Sequence, residues 1–302
     1  MTENKNYDAV IIGGSYAGLS AALSMARALK NVLIIDGQNP CNRQTPHSHN
    51  FITQDGVAPG EITKLALAQV LAYPTAQLVI DHALAVMGVN DNFRIATATG
   101  AVYNAKKLLF ATGIKDMMPA IPGFSECWGI SIIHCPYCHG YEYHGKNTGI
   151  LMTGDAAAEH AEFINNWTDK LTIFTDGDAS ISIGKQESLA AKGIDIVEKK
   201  IHRFQHNAGQ LSAIEFMDGE QLPLEAMYAK PAFTQHCTIP EIMGCSLTAA
   251  GYLKVNEFNK TTVSGVYAAG DNVSPMRSVS GAVAAGTLAG AMMSRELILG
   301  DF

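Results

Sequence analysis

The chain has 302 residues, with 21 Lys+Arg against 28 Asp+Glu and a formal net charge of −7, which excludes a general nucleic-acid binder because neutralising phosphates needs a basic surface. Charged residues make up only 16% and hydrophobic residues 47%, with 28 glycines, a composition that excludes disorder. At roughly 150 residues per domain the length predicts about two domains, each able to bury a core.

In chain order, the first predicted element is the apolar, β-branched run Ala9-Val10-Ile11-Ile12, which stops at Gly13-Gly14. Leu19, Ala22, Leu23 and Ala26 then recur at helical spacing, and Val32-Leu33-Ile34-Ile35 forms a second apolar run ending in Asp36. Together these form a β-α-β unit, hence an α/β domain with a parallel strand pair. Residues 39–60 are polar and rich in Pro, Asn and His, a long loop of the kind that carries function in compact domains. Lys107 to Phe110 predicts a strand leading into Ala111-Thr112-Gly113, and Pro119 with Pro122-Gly123 then punctuate the chain, placing a domain boundary near Asp116. A second β-α-β unit follows: strand Gly149 to Met152, turn Thr153 to Asp155, helix Ala156 to Trp167 and strand Leu171 to Phe174. The last predicted elements are a strand over Gly265 to Ala269, ending at Gly270-Asp271, and an uncharged helix from about Ser280.

Two windows are long and uncharged, Ala9 to Ala26 and Val279 to Ser294. The first is broken by Gly13, Gly14 and Gly18 and lacks the basic lead-in of a signal peptide; the second is shorter than the ~20 apolar residues that span a bilayer. A soluble cytoplasmic protein with no membrane partner is expected. Six cysteines stand at 41, 127, 135, 138, 237 and 245, and with one close pair the pattern points to catalysis or metal binding rather than a disulfide framework.

Gly13-Gly14-Ser15-Tyr16-Ala17-Gly18 lies between strand and helix, with Asp36 closing the next strand. The first glycine permits the tight turn, the last close helix-strand packing, and the helix N-terminus receives a pyrophosphate while the acid takes a ribose diol. Ser15 stands where the middle glycine of G-x-G-x-x-G would be. Cys135-Pro136-Tyr137-Cys138, flanked by His134 and His139, admits three chemistries. A redox disulfide needs two sulfurs at this spacing on a helical turn; a closed zinc site needs a second ligand pair, which is absent, so no metal is expected; and C-x-x-C-H is also the c-type haem attachment pattern. Redox chemistry at Cys135 and Cys138 is the favoured reading. His47 and His49, two apart in the polar loop, share a face but have no evident third metal ligand. They are read as part of a solvated or cofactor-adjacent loop.

Taken in order, the Gly13 to Gly18 loop with Asp36, Asn50 in Ser48-His49-Asn50-Phe51, Ala111-Thr112-Gly113, the Cys135/Cys138 pair and Gly270-Asp271 followed by Arg277 resemble the low-molecular-weight thioredoxin reductase family over nearly the whole chain. The resemblance implies two Rossmann-like, three-layer α/β dinucleotide-binding domains, the second inserted in the first. Residues 1–116 and 236–302 would form the FAD domain and 117–235 an NAD(P)H-like domain carrying the C-x-x-C. It assigns FAD to Gly13, Ser15, Tyr16, Ala17, Gly18, Asp36, Gly37, Asn42, Arg43, Asn50, Val86, Ala111, Thr112, Gly113, Gly270, Asp271, Arg277 and Ser278. Within that set Asp36 would hold the adenosine ribose, Asn50 would lie near the flavin ring, Asp271 would bond the ribityl chain, and Arg277 with Ser278 would meet the flavin. Cys138 would face the flavin and Cys135 would attack an external disulfide. A thioredoxin-like protein or small dithiol is the implied partner, and a homodimer the implied assembly.

Two departures qualify this. His139 follows the second cysteine where thioredoxin reductases carry Asp, and Cys135 to Glu142 resembles the branch that includes gliotoxin-type dithiol oxidases; a histidine can move the same proton nearer neutral pH. The inserted loop Met152-Thr153-Gly154-Asp155-Ala156-Ala157 keeps only the middle glycine of its pattern, and Thr175-Asp176-Gly177-Asp178 stands where NADPH enzymes of the family carry His-Arg-Arg. An acid there repels a 2′-phosphate and accepts a ribose diol, so NADPH, NADH and no nicotinamide at all stay open. The expected activity is FAD-dependent thiol-disulfide exchange; a dithiol oxidase using oxygen or another acceptor, and a non-enzymatic flavin sensor, are the alternatives.

Overall fold

A computed structural model describes residues 5–300. Their contacts divide the chain into two compact units, Met1–Arg43 with Asn50–Lys115 and Phe233–Phe302, and Gln44–His49 with Asp116–Ala232. The expected division places residues 44–49 in the first domain, whereas their contacts group them with the second.

Along the chain, the first unit opens with β1 (Lys5–Ile12), α1 (Tyr16–Arg27), β2 (Val32–Asp36), α2 (Pro59–Leu71), β3 (Ala76–Ile80), β4 (Ala83–Val89), β5 (Asn92–Thr97), β6 (Val102–Phe110) and β7 (Ile114–Asp116). The β1, β2 and β6 runs are apolar on both faces because helices and loops cover both sides of the sheet; Val10, Ile11, Leu33, Ile34, Leu108 and Leu109 are all fully buried. Parallel pairing aligns Ile12 with Ile35 on one side and with Phe110 on the other. The strands therefore end level, and the loops that follow them meet at one edge. The antiparallel hairpin β4-β5 continues the sheet through the first half of β6.

The second unit contains α3 (Phe124–Cys127), β8 (Ile132–Ile133), α4 (Pro136–His139), β9 (Thr148–Leu151), α5 (Asp155–Ile164), β10 (Leu171–Phe174), α6 (Ile183–Ala191), β11 (Asp195–Val197), β12 (Ile201–Asn207), β13 (Gln210–Phe216), β14 (Gln221–Pro223) and β15 (Ala226–Ala229). Its parallel sheet runs β11-β10-β9-β15-β8. One face buries Ala157, Ala161 and Ile164 of α5 with Tyr228 of β15, and the other packs Phe174 and Met227 against Phe204, Ile214 and Phe216 of the antiparallel β12-β13-β14 sheet. Helix α5 stops at Ile164, short of the predicted Trp167, where the Asn165 side-chain amide turns to donate to the Thr168 carbonyl.

The chain then returns through β16 (Phe233–Gln235), α7 (Ile239–Ile242), β17 (Val266–Ala268) and α8 (Val279–Leu299). β17 pairs with the second half of β6, Ala268 against Phe110, adding its C-terminal end to the same edge. Helix α8 is long and apolar enough to cross a membrane by length and composition. Here Ala289 and Met293 lie in the core cluster with α1, and fully buried Glu296 pairs with Lys107 at 2.6 Å and Lys260 at 2.8 Å, the contacts of a core helix.

Candidate functional site

In the first unit the level strand ends bring Gly13, Asp36, Ala111 to Gly113 and Gly270-Asp271 to one edge of the sheet. Gly13 has φ +106°, and a Cβ there would overlap the Ala111 carbonyl. Only glycine allows this crossing of the two loops. The Gly14 N–H donates to Asp36 Oδ1 at 3.0 Å. Ser15 is the N-cap of α1 but its hydroxyl caps nothing, and no acid occupies the first turn, so the N–H groups and positive end of a 12-residue helix are left for a ligand. Tyr16, Ala17 and Gly18 are buried, and Tyr16 Oη donates to the Pro59 carbonyl while accepting from Asn42 Nδ2.

Asp271 lies 3.8 Å from Arg277 Nε and accepts from Cys41 Sγ at 3.7 Å. Ser278 caps α8 by accepting from the Gly281 N–H. Thr112 Oγ1 is buried without a hydrogen-bond partner, and the Thr112 carbonyl lies 3.3 Å from His236 Nδ1. Gly37 packs against His82. The remaining residues have other surroundings: Arg43 is exposed and donates to the Pro40 carbonyl, Asn50 is exposed with φ +60° and its N–H bonds Asp55, and Val86 packs into an apolar core cluster.

In the second unit Cys135 is the extended N-cap of α4 and Pro136 its first residue. The Cys138 and His139 N–H groups both donate to the Cys135 carbonyl, closing the turn that sets the two thiols on one side. Cys135 is held down at about 6, chiefly by a hydrogen bond from the Cys138 side chain, with help from the Cys138 and Tyr137 N–H groups and the Lys230 charge, against the effect of burial. These contacts favour its thiolate form. Cys127 shows the contrary case, pushed up to about 11 by burial. Tyr137, between the cysteines, packs against Phe163 and Trp167. His139 is half-buried and lowered by burial and by His49, against the opposing pull of Glu142, and so favours the neutral, proton-accepting imidazole.

The inserted nucleotide-type loop is arranged differently. Gly154 is the N-cap of α5 and donates to the Ala179 carbonyl at 2.7 Å, while Asp155 in the first turn accepts from the Ser182 N–H at 2.7 Å. Asp176 accepts from the Ile201 N–H and pairs with Lys200, and Asp178 accepts from the Ser180 N–H.

Residues 7–286 match the pyridine nucleotide-disulphide oxidoreductase family model. The chain is 32% identical over 310 residues to "Thioredoxin reductase tcpT" of Claviceps purpurea, covering 99% of this chain and 96% of that one. Among solved structures it resembles an oxidoreductase from Agrobacterium tumefaciens (TM-score 0.92, 34% identity, 98% of this chain and 100% of that). It also resembles a putative thioredoxin reductase, TrxB, from Bacillus anthracis (TM-score 0.89, 29% identity, 97% and 98%). The chain belongs to the pyridine nucleotide-disulphide oxidoreductase family. It is a thioredoxin-reductase-like, FAD-dependent disulfide oxidoreductase with that group's two-domain α/β fold.

The first unit fits FAD on three features: the uncapped α1 N-terminus, the Gly13 crossing that keeps side chains out of the loop, and the unpartnered Thr112 hydroxyl. Gly13 to Ser15 would hold the pyrophosphate, Asp36 the ribose, and Thr112 and Asp271 the polar remainder; bound there, FAD supplies two-electron redox chemistry. Sequence reasoning did not single out Cys41, His236 or Glu142 for this chemistry, and it gave His49 no place beside His139. Their proximity to Asp271, Thr112 and His139 arises between segments 90 to 230 positions apart, beyond the reach of any local motif. Glu142 had a signal, its place in the Cys135 to Glu142 run.

Proposed function

We propose that the protein cycles Cys135 and Cys138 between dithiol and disulfide, exchanging electrons between FAD and a thioredoxin-like protein or small dithiol. Cys135 attacks the partner's sulfur, Cys138 resolves the mixed disulfide, and His139 accepts and returns the Cys138 proton. The observation that carries this reading is the geometry of the pair: Cys135 caps the turn that brings Cys138 back to it, and the Cys138 side chain hydrogen-bonds the Cys135 sulfur. A cytoplasmic homodimer completes the reading by family resemblance.

The nicotinamide arm of the cycle is weakened on this reading. Asp155 lies at the helix terminus where a pyrophosphate would be held, Asp176 is bonded to the Ile201 N–H and paired with Lys200, and Asp178 is bonded to the Ser180 N–H. Anaerobic titration with dithiothreitol tests the core of the proposal: the flavin band bleaches, and Cys138→Ser abolishes bleaching while leaving FAD bound. Bleaching that survives both Cys135→Ser and Cys138→Ser would show that the pair is not the electron path.

A further inference from the structure

His49 is in contact with the redox helix rather than isolated in a polar loop. Its ring stands perpendicular to His139 with centroids 6.1 Å apart, and its Nε2 lies 3.4 Å from Glu142 Oε1. His47 lies behind it at 6.3 Å. His139 and His49 are both half-buried, the His49 side chain 20% exposed, and Glu142 is exposed at 38%. No group of three or more His, Cys, Asp or Glu among the described residues forms a metal site.

We propose that His49 and Glu142 form a proton route between His139 and solvent, serving proton exchange at the Cys135/Cys138 pair. The inference rests on the redox cycle proposed above. Burial and the neighbouring His49 both disfavour a lasting charge on His139, against the pull of Glu142, and Glu142 stands at ion-pair distance from His49. Rings at this separation are beyond direct hydrogen-bond reach, so the proton crosses through one bridging water. Cys135 and Cys138 share its turn, and His47 lies beyond His49.

The stoichiometry requires such a route. When the enzyme, as Cys135 thiolate and Cys138 thiol, reduces an external disulfide, one S–S bond breaks in the substrate and one forms between the cysteines. Two electrons move to the substrate. Its two sulfurs leave as thiols at neutral pH, because ordinary thiols titrate near about 8.5. One of their protons comes from Cys138 and the other must come from solvent. Oxidation of a dithiol by the Cys135-Cys138 disulfide runs the same path backwards and releases one proton.

The test mixes oxidised holoenzyme anaerobically with dithiothreitol in weakly buffered solution, following proton release with a pH indicator and flavin bleaching at the same time. In the wild type the two traces coincide. His49→Ala slows proton release by about tenfold, and added imidazole restores it, because a diffusible base replaces the missing one. Glu142→Gln slows release less and shifts its pH profile. Unchanged release in both variants, or slowing in His49→Ala that imidazole does not relieve, overturns the route. Should His49→Ala lose its flavin, Glu142→Gln decides alone. These failures are distinct from that of the redox cycle, which shows as cysteine-independent bleaching.

Discussion

Two glycine loops in this chain, Gly13 to Gly18 and Met152 to Ala157, both join a parallel strand to a helix, and they treat the helix terminus in opposite ways. At α1 no acid occupies the first turn, and the nearest carboxylate, Asp36, stands at the neighbouring strand end and takes the Gly14 N–H. At α5 the chain supplies its own anion, Asp155, and ties it to Ser182, while Ala179 takes the Gly154 N–H. A helix N-terminus attracts negative charge whatever its source. The same β-α-β pattern is therefore a dinucleotide site where its donors are left open, and a self-satisfied turn where the protein fills them.

Three experiments put pressure on that contrast. The largest effect is expected from alanine at the two key glycines. Gly13→Ala combines left-handed backbone with overlap on the Ala111 carbonyl, so it costs about 2 kcal/mol or more and yields colourless protein. Gly154→Ala meets nothing closer than Ser180 O at 3.9 Å, so its cost of about 1–3 kcal/mol comes only from a backbone (φ +71°, ψ −179°) almost confined to glycine, and it keeps the flavin. Melting curves and the flavin absorbance compare them, and equal effects would erase the distinction.

A smaller effect is expected in reductant choice. In anaerobic stopped flow, dithiothreitol reduces the flavin at least about tenfold faster than NADPH or NADH, equivalent to about 1.4 kcal/mol. Asp155→Ala narrows the gap by freeing the α5 terminus. Rapid reduction of the wild type by NADPH would show that the α5 terminus accepts a dinucleotide in spite of its acid.

The smallest expected effect is on pH dependence. Because Cys135 titrates near 6 in the folded protein rather than at the usual 9, the dithiol form gains stability as pH rises between those values and loses it as pH falls through about 6. The disulfide form lacks this dependence. Melting temperatures of the two forms, measured from pH 5 to 9 with alkylation rates of Cys135 alongside, check the sign; curves that stay parallel would remove the thiolate from the argument.

The strand-turn-helix geometry of the first unit was largely legible because its signals are local: an apolar run, Gly13 at the turn and Asp36 one strand away. Asn50 and Val86 were less so, since their assignments came from resemblance and their surroundings are a turn and an apolar cluster. The antiparallel hairpins β4-β5 and β12-β13 are not legible in the sequence, because Ala83 to Val89 and Ile201 to Asn207 lack the clean alternation that marks a strand.

By itself the sequence determined the two β-α-β units, the reactive cysteine spacing and the glycine turn, since each depends on residues within one or two elements. Only the tertiary structure decided that residues 44–49 belong with the second unit, that His49 stands against His139, and that Asp155, Asp176 and Asp178 are bonded to Ser182, Ile201 and Ser180. Proximity between distant segments is set by how sheets and helices pack, and the partners a carboxylate finds by which backbone N–H groups that packing brings to it. Neither is encoded in a residue's type or its local spacing.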